Sequence, residues 1–131
     1  MIIDTSAIIA ILRSEPEAAS MAGAIESARV RRVSAMNYVE AAAVMDGSRD
    51  AVVSRRFDEL FREAGLMVEP VSVSQARIAR EAYRDFGKGS GHPASLNLGD
   101  CFAYALAKEM NEPILFKGED FRKTDLASAL D

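Results

Sequence analysis

Asp4, Glu40, Asp100 and Asp120 each sit in or beside an apolar segment, where an unpaired carboxylate is costly to desolvate. Asp4 closes the strand-like Met1-Ile2-Ile3, and Glu40 lies between Tyr38-Val39 and Ala41-Ala42-Ala43-Val44. Asp100 opens the run Cys101-Phe102-Ala103-Tyr104-Ala105-Leu106, and Asp120 follows Ile114-Leu115-Phe116. Gathered by a fold, such carboxylates make an oxygen-rich site for a hard divalent cation, Mg²⁺ or Mn²⁺. An ion of that kind binds phosphate oxygens, orients water for attack and stabilises a leaving alkoxide. The chemistry that needs an acidic pocket and no essential histidine or cysteine is metal-assisted phosphodiester hydrolysis, with water rather than a side chain as nucleophile. Each carboxylate also has a plainer role open to it. Asp4 could cap a helix, and Asp100 could face a helix dipole. Glu40 could pair with an arginine, and Asp120, flanked by Glu119 and Asp125, could be one acid of a polar turn.

The elements that must position these residues read as alternating strands and helices. Met1 to Asp4 predicts a short buried strand, with Thr5 and Ser6 as helix caps and a helix from about Ala7 to Leu12. Ser14 before Glu15-Pro16-Glu17 predicts the start of a second helix running to about Ala28. A weak strand covers 31–34. A helix follows from Ala35 to Met45, with Met36, Val39 and Ala43 expected on its buried face. Another helix is expected over 50–64, presenting Val53, Phe57, Leu60 and Phe61 to a core or a dimer interface, and Gly65 stops it. A strand at 66–71 leads into a helix capped by Ser72 or Ser74, expected to bury Ala76, Ala79, Ala82 and Tyr83. Helix 98–110 follows the glycine-rich loop 87–96. The last strand is Ile114 to Phe116, and a short terminal helix is expected over 125–130.

Strand–helix alternation throughout implies βαβ crossovers and a mainly parallel sheet covered on both faces. Ligands collect outside the carboxyl ends of the strands of such sheets. Asp4 leaves the first strand there, and Asp100, in the first turn of a helix leading back to a strand, belongs at the same edge. Asp120 and the longer Glu40 are within reach of it.

The 131 residues fit one α/β domain, 1–131, with 49% hydrophobic and 27% charged residues, which argues against disorder. One cysteine, Cys101, excludes a disulfide framework or a thiolate zinc cluster and fits cytoplasmic residence. No basic stretch precedes the first apolar segment, and no apolar run approaches the ~20 residues of a membrane span. A net charge of −4 shows the chain is no overall polycation, although a basic rim or a basic partner is compatible with it.

Ile2-Ile3-Asp4-Thr5-Ser6-Ala7, Glu40 in its apolar helix, Leu98-Gly99-Asp100-Cys101-Phe102 and Phe116-Lys117-Gly118-Glu119-Asp120-Phe121 resemble the PIN-domain ribonucleases, and among them the VapC toxins of bacterial toxin–antitoxin pairs. The resemblance spans nearly the whole chain. It implies a three-layer α/β/α sandwich around a four- to five-stranded parallel sheet, and a Mg²⁺- or Mn²⁺-dependent endoribonuclease leaving a 5′-phosphate and a 3′-hydroxyl. By the same resemblance Asp4, Glu40 and Asp100 take the first three acidic positions. Asp120 takes the fourth, with Glu119 and Asp125 as alternatives. Thr5 or Ser6 would hydrogen-bond a carboxylate or a metal-bound water. The resemblance also implies a homodimer and a cognate VapB-like antitoxin, whose C-terminal segment would cover the pocket with a basic residue.

Lys88, His92, Lys117 and Arg122, with Arg80 and Arg84, are candidates for RNA phosphate contacts, as against a merely solvated basic surface. Cys101 is expected to pack as a small apolar residue. Two competing readings stand beside the nuclease. A phosphatase with an aspartate nucleophile would carry a second aspartate where Ser6 stands, and a binding or scaffold domain would take up no Mn²⁺.

Overall fold

The computed structural model describes residues 1–130. Four strands, β1 (Ile2–Ile3), β2 (Arg32–Ser34), β3 (Met67–Glu69) and β4 (Ile114–Leu115), form a wholly parallel sheet in the order β3-β2-β1-β4. A bridge between Ile114 and Ser128 adds a fourth parallel pairing, beyond β4. Six helices connect these strands: α1 (Thr5–Leu12), α2 (Ala18–Ser27), α3 (Ala35–Asp46), α4 (Ala51–Glu63), α5 (Val73–Phe86) and α6 (Leu98–Met110).

Alternation of side chains along each strand divides the core into two layers. Ile2 and Ile114 face α5 and α6, whereas Ile3, Val33 and Leu115 face α1 to α4. This is the expected α/β/α sandwich. Phe57 is buried, and Tyr38, Phe57 and Phe61 stack with ring centroids 4.8 to 5.5 Å apart, so the aromatic face of α4 belongs to the core. Among the described residues no helix is long and apolar enough to cross a membrane.

Several expectations are corrected. Asp4, not Thr5 or Ser6, caps α1, because its carboxylate accepts from the Ser6 N–H at 3.0 Å. Ser14 does not cap α2: it lies at φ +51° in the connection, and the helix begins at Ala18 behind Glu17. On α3 the buried positions are Asn37, Ala41 and Met45, while Val39 is 60% exposed. Ser72 caps α5 through the Gln75 N–H, and α5 turns Gln75, Ala79 and Ala82 inward, leaving Ala76 and Tyr83 exposed. The terminal helix over 125–130 is absent. The chain makes a 3₁₀ turn at Phe121–Lys123 and then an extended segment whose Ala129 N–H donates to Ile114 O at 2.9 Å.

Candidate active site

The Asp4 N–H donates to Leu115 O at 2.9 Å, so Asp4 stays in the sheet to the last bond of the β1–β4 ladder and is released at its carboxyl edge. Asp4 is 2% exposed. Its Oδ2 accepts from the Ser6 N–H and, at 2.6 Å, from the Ser6 hydroxyl, while its Oδ1 is buried without a hydrogen-bond partner. The Ser6 oxygen also accepts from the Lys117 N–H at 3.0 Å, which ties the exit of β4 to the first turn of α1. Burial lifts the Asp4 carboxyl above the ordinary range; Ser6 opposes this and the Glu40 charge adds to it.

Asp100 is held by a reciprocal cap. The Asp100 N–H donates to Asn97 Oδ1 at 2.8 Å, and the Asn97 N–H donates to Asp100 Oδ2 at 2.9 Å. Burial, followed by the charges of Asp4, Asp120 and Glu40, pushes the Asp100 carboxyl up to about 7, against the pull of the Asn97 N–H. All three expected companions thus act on Asp100, and the four acidic residues share one electrostatic neighbourhood.

Glu40 is turned inward on α3 and accepts from the Thr5 hydroxyl at 2.5 Å. Its carboxylate lies against Gly99, where any Cβ would collide with it. A side chain at 99 would push the Glu40 carboxylate out of this position. Asp120, exposed, sits at the entrance of the 3₁₀ turn with no capping bond. Of the two alternatives to it, Glu119 is 72% exposed and pairs with Arg122, and Asp125 is bound by the Tyr104 hydroxyl at 2.8 Å and by Lys108 at 2.7 Å.

Other acids of the chain have cations: Arg32 pairs with Glu69 at 2.7 Å and Glu112 at 3.0 Å. Among the described residues no Lys, Arg or His stands within ion-pair distance of Asp4, Glu40, Asp100 or Asp120. Nor do any three acidic, histidine or cysteine side chains among the described residues close into a finished metal cage. The four form a loose acidic cluster around Asp100. Its fit to a divalent cation rests on an all-oxygen donor set and on the orphaned Asp4 Oδ1, an acceptor whose burial without a partner costs about 1–3 kcal/mol.

The expected phosphate contacts divide. Lys117 is engaged with Glu15 at 2.6 Å and Glu17 at 3.6 Å, and Arg84 with its neighbour Asp85, so neither presents an uncommitted charge. Arg80 and Lys88 are exposed. His92 stacks edge-on against Phe86 at 4.8 Å and accepts the Ala94 N–H through Nδ1, leaving Nε2 as the ring's N–H donor when neutral. Cys101 is buried beside Asp100, as expected, with its thiol pushed up to about 12 by burial and by the Asp100 charge. Sequence reasoning missed Asn37, a fully buried amide bonded to Thr5 and Gly99. The available signal was a polar residue one helical turn before Glu40.

Comparison with known proteins places this geometry in context. The PIN domain model matches residues 1–126. Ribonuclease VapC28 of Mycobacterium tuberculosis is 59% identical over 131 residues, covering 100% of this chain and 98% of that protein. Among solved structures, Mycobacterium tuberculosis VapC20, a sarcin-ricin loop cleaving toxin, superposes with a TM-score of 0.72 at 13% identity, over 96% of this chain and 95% of that one. A toxin–antitoxin complex from Klebsiella pneumoniae gives 0.67 at 18% identity, over 92% and 88%. At such identities the two structural likenesses speak for the fold alone.

Proposed function

This chain belongs to the PIN-domain family, among the VapC ribonucleases, and from that premise we propose that it is a divalent-metal-dependent endoribonuclease acting as the toxin of a toxin–antitoxin pair. The observation that supports the metal-dependent reading is the set of four carboxylates near Asp100 that have no cation partner among the described residues, with Asp4 Oδ1 unsatisfied. Asp4, Asp100 and Glu40 would hold Mg²⁺ or Mn²⁺, with Asp120 closing the open side. The ion, when bound, supplies positive charge to phosphate oxygens and lowers the pKa of water.

The rest of the chemistry lies in the chain. Asp4 is fixed by two Ser6 donors, so its Oδ1 keeps one direction. Asp100 is fixed by the Asn97 cap at the N-terminus of α6, where the helix dipole favours its ionised form. Glu40 is fixed by Thr5 and by contact with Gly99. Rigid acceptors of this kind bring substrate phosphate and attacking water together without reorganisation.

The negative pocket repels RNA unless a cation neutralises it, which makes cation uptake a precondition of substrate binding. The same negative charge suits an antitoxin that inserts a basic side chain, since arginine pairs bidentately with carboxylates. A cognate antitoxin, a homodimeric assembly and residence in the cytoplasm complete the reading. Asp4→Asn and Asp100→Asn are each expected to abolish RNA cleavage in Mg²⁺ or Mn²⁺ while the protein stays folded by circular dichroism. Full activity in either variant would remove the assignment.

A further inference from the structure

Asn37 lies one turn before Glu40 on α3, with 0% of its surface exposed. Its amide nitrogen donates to Gly99 O at 3.0 Å and to Thr5 Oγ1 at 3.2 Å, and lies 3.5 Å from Glu40 Oε1. A backbone carbonyl only accepts, so the contact with Gly99 O fixes which amide atom is nitrogen. The two N–H bonds of the amide are then used up by Gly99 and Thr5. Thr5, accepting a hydrogen bond from Asn37, turns its own hydroxyl hydrogen to Glu40 Oε1 at 2.5 Å. One carboxamide therefore ties the segments that carry Asp4, Glu40 and Asp100, gripping the neighbour of the first, the helix of the second and the neighbour of the third.

We propose that Asn37 is a positioning residue of the acidic pocket, orienting the Glu40 carboxylate through the relay Asn37–Thr5–Glu40 and clamping the α6 N-terminus at Gly99. The proposal rests on the metal-dependent reading above. Asn37 is sealed from solvent and reaches no substrate; it works by fixing where Glu40 and Asp100 stand relative to each other. Its geometry demands an amide. An aspartate of the same shape has only acceptors and would meet Gly99 O and Glu40 as a repelled anion. Alanine leaves Gly99 O and Thr5 without their donor and frees Glu40 to rotate. The glycine at 99 belongs to the same device, since it lets the positioned carboxylate rest against backbone.

The test is Mn²⁺ titration calorimetry on the full chain, with thermal melts in parallel, for wild type, Asn37→Ala and Thr5→Val, each also made in a Glu40→Gln background. Outer residues that orient metal-binding side chains typically change affinity by about 10- to 100-fold. Asn37→Ala is expected to weaken Mn²⁺ binding about tenfold in the wild-type background and by clearly less once Glu40 is glutamine, where only the clamp on Gly99 is left to lose. Thr5→Val, which breaks the relay at its middle while keeping the β-branched shape, is expected to repeat that pattern even where Asn37→Ala folds poorly. Equal losses in both backgrounds, or undiminished affinity in Thr5→Val, would overturn the relay. Wild-type protein that takes up no Mn²⁺ would instead bring down the metal-dependent reading, and the relay with it.

Discussion

Replacing Asp100 with asparagine should make the metal-free protein more stable while removing its proposed activity. The Asp100 carboxyl keeps its proton up to about pH 7 when folded, whereas its ordinary value is 3.8. Between those values the native state binds more protons than the unfolded chain, so stability falls as pH rises, and above 7 the full penalty applies. At about 1.4 kcal/mol per pKa unit the interval would correspond to about 4 kcal/mol for a fully enclosed group. Asp100 is only part-buried and water screens its neighbours, which reduces the expected penalty to about 1–2 kcal/mol. Asparagine carries no charge to repel, and its side-chain oxygen can still accept from the Asn97 N–H, so the cap survives. In EDTA, Asp100→Asn should therefore melt ~3–8 °C above wild type at pH 8, with the gap closing towards pH 4. Thermal or urea unfolding at both pH values reads the difference directly. An Asp100→Asn protein no more stable than wild type at pH 8, or a gap independent of pH, would refute the burial of the Asp100 carboxyl beside other acids.

Three further substitutions separate the parts of the site. Gly99→Ala puts a methyl group into the Glu40 carboxylate and should displace that flexible side chain, weakening Mn²⁺ uptake with little change in urea unfolding; undiminished uptake would show that Glu40 lies elsewhere. Ser6→Ala removes the 2.6 Å donor to Asp4, which should raise the Asp4 carboxyl further and move the pH at which Mn²⁺ binds upward, read by calorimetry from pH 6 to 8. Tyr104→Phe loses only the bond to Asp125, so a stability loss of about 1 kcal/mol with undiminished RNA cleavage is expected; lost cleavage would bring Asp125 back into the site.

The parts legible in the sequence are those written by short-range chemistry. Ile2-Ile3 before Asp4 specifies a buried strand end within a few residues of chain and stands as read, as does the helix that Asp100 opens. The reciprocal cap between Asn97 and Asp100 was not read, although both residues lie within one turn. The interior of α3 was not legible. Met36, Val39 and Ala43 share an apolar stripe, yet the helix packs through Asn37, Ala41 and Met45 because Glu40 and Asn37 have partners on Thr5 and Gly99, 32 to 62 residues away. In an alanine-rich helix several faces are comparably apolar, and distant hydrogen bonds decide among them. The C-terminal segment failed as a helix for a related reason. Thr124 and Ser128 hydroxyls accept N–H groups two residues on, and Ile114 offers a strand edge that the chain joins instead. Lys117 read as a phosphate contact because its partners Glu15 and Glu17 lie about a hundred residues earlier.

Diffraction from crystals soaked in Mn²⁺, recorded where manganese scatters anomalously, tests most directly whether these side chains hold a divalent ion together. An anomalous peak in contact with Asp4 Oδ1 and a carboxylate oxygen of Asp100 is the expected result. Bound manganese found only elsewhere on the surface, with Asp4 Oδ1 still facing protein alone, would contradict it.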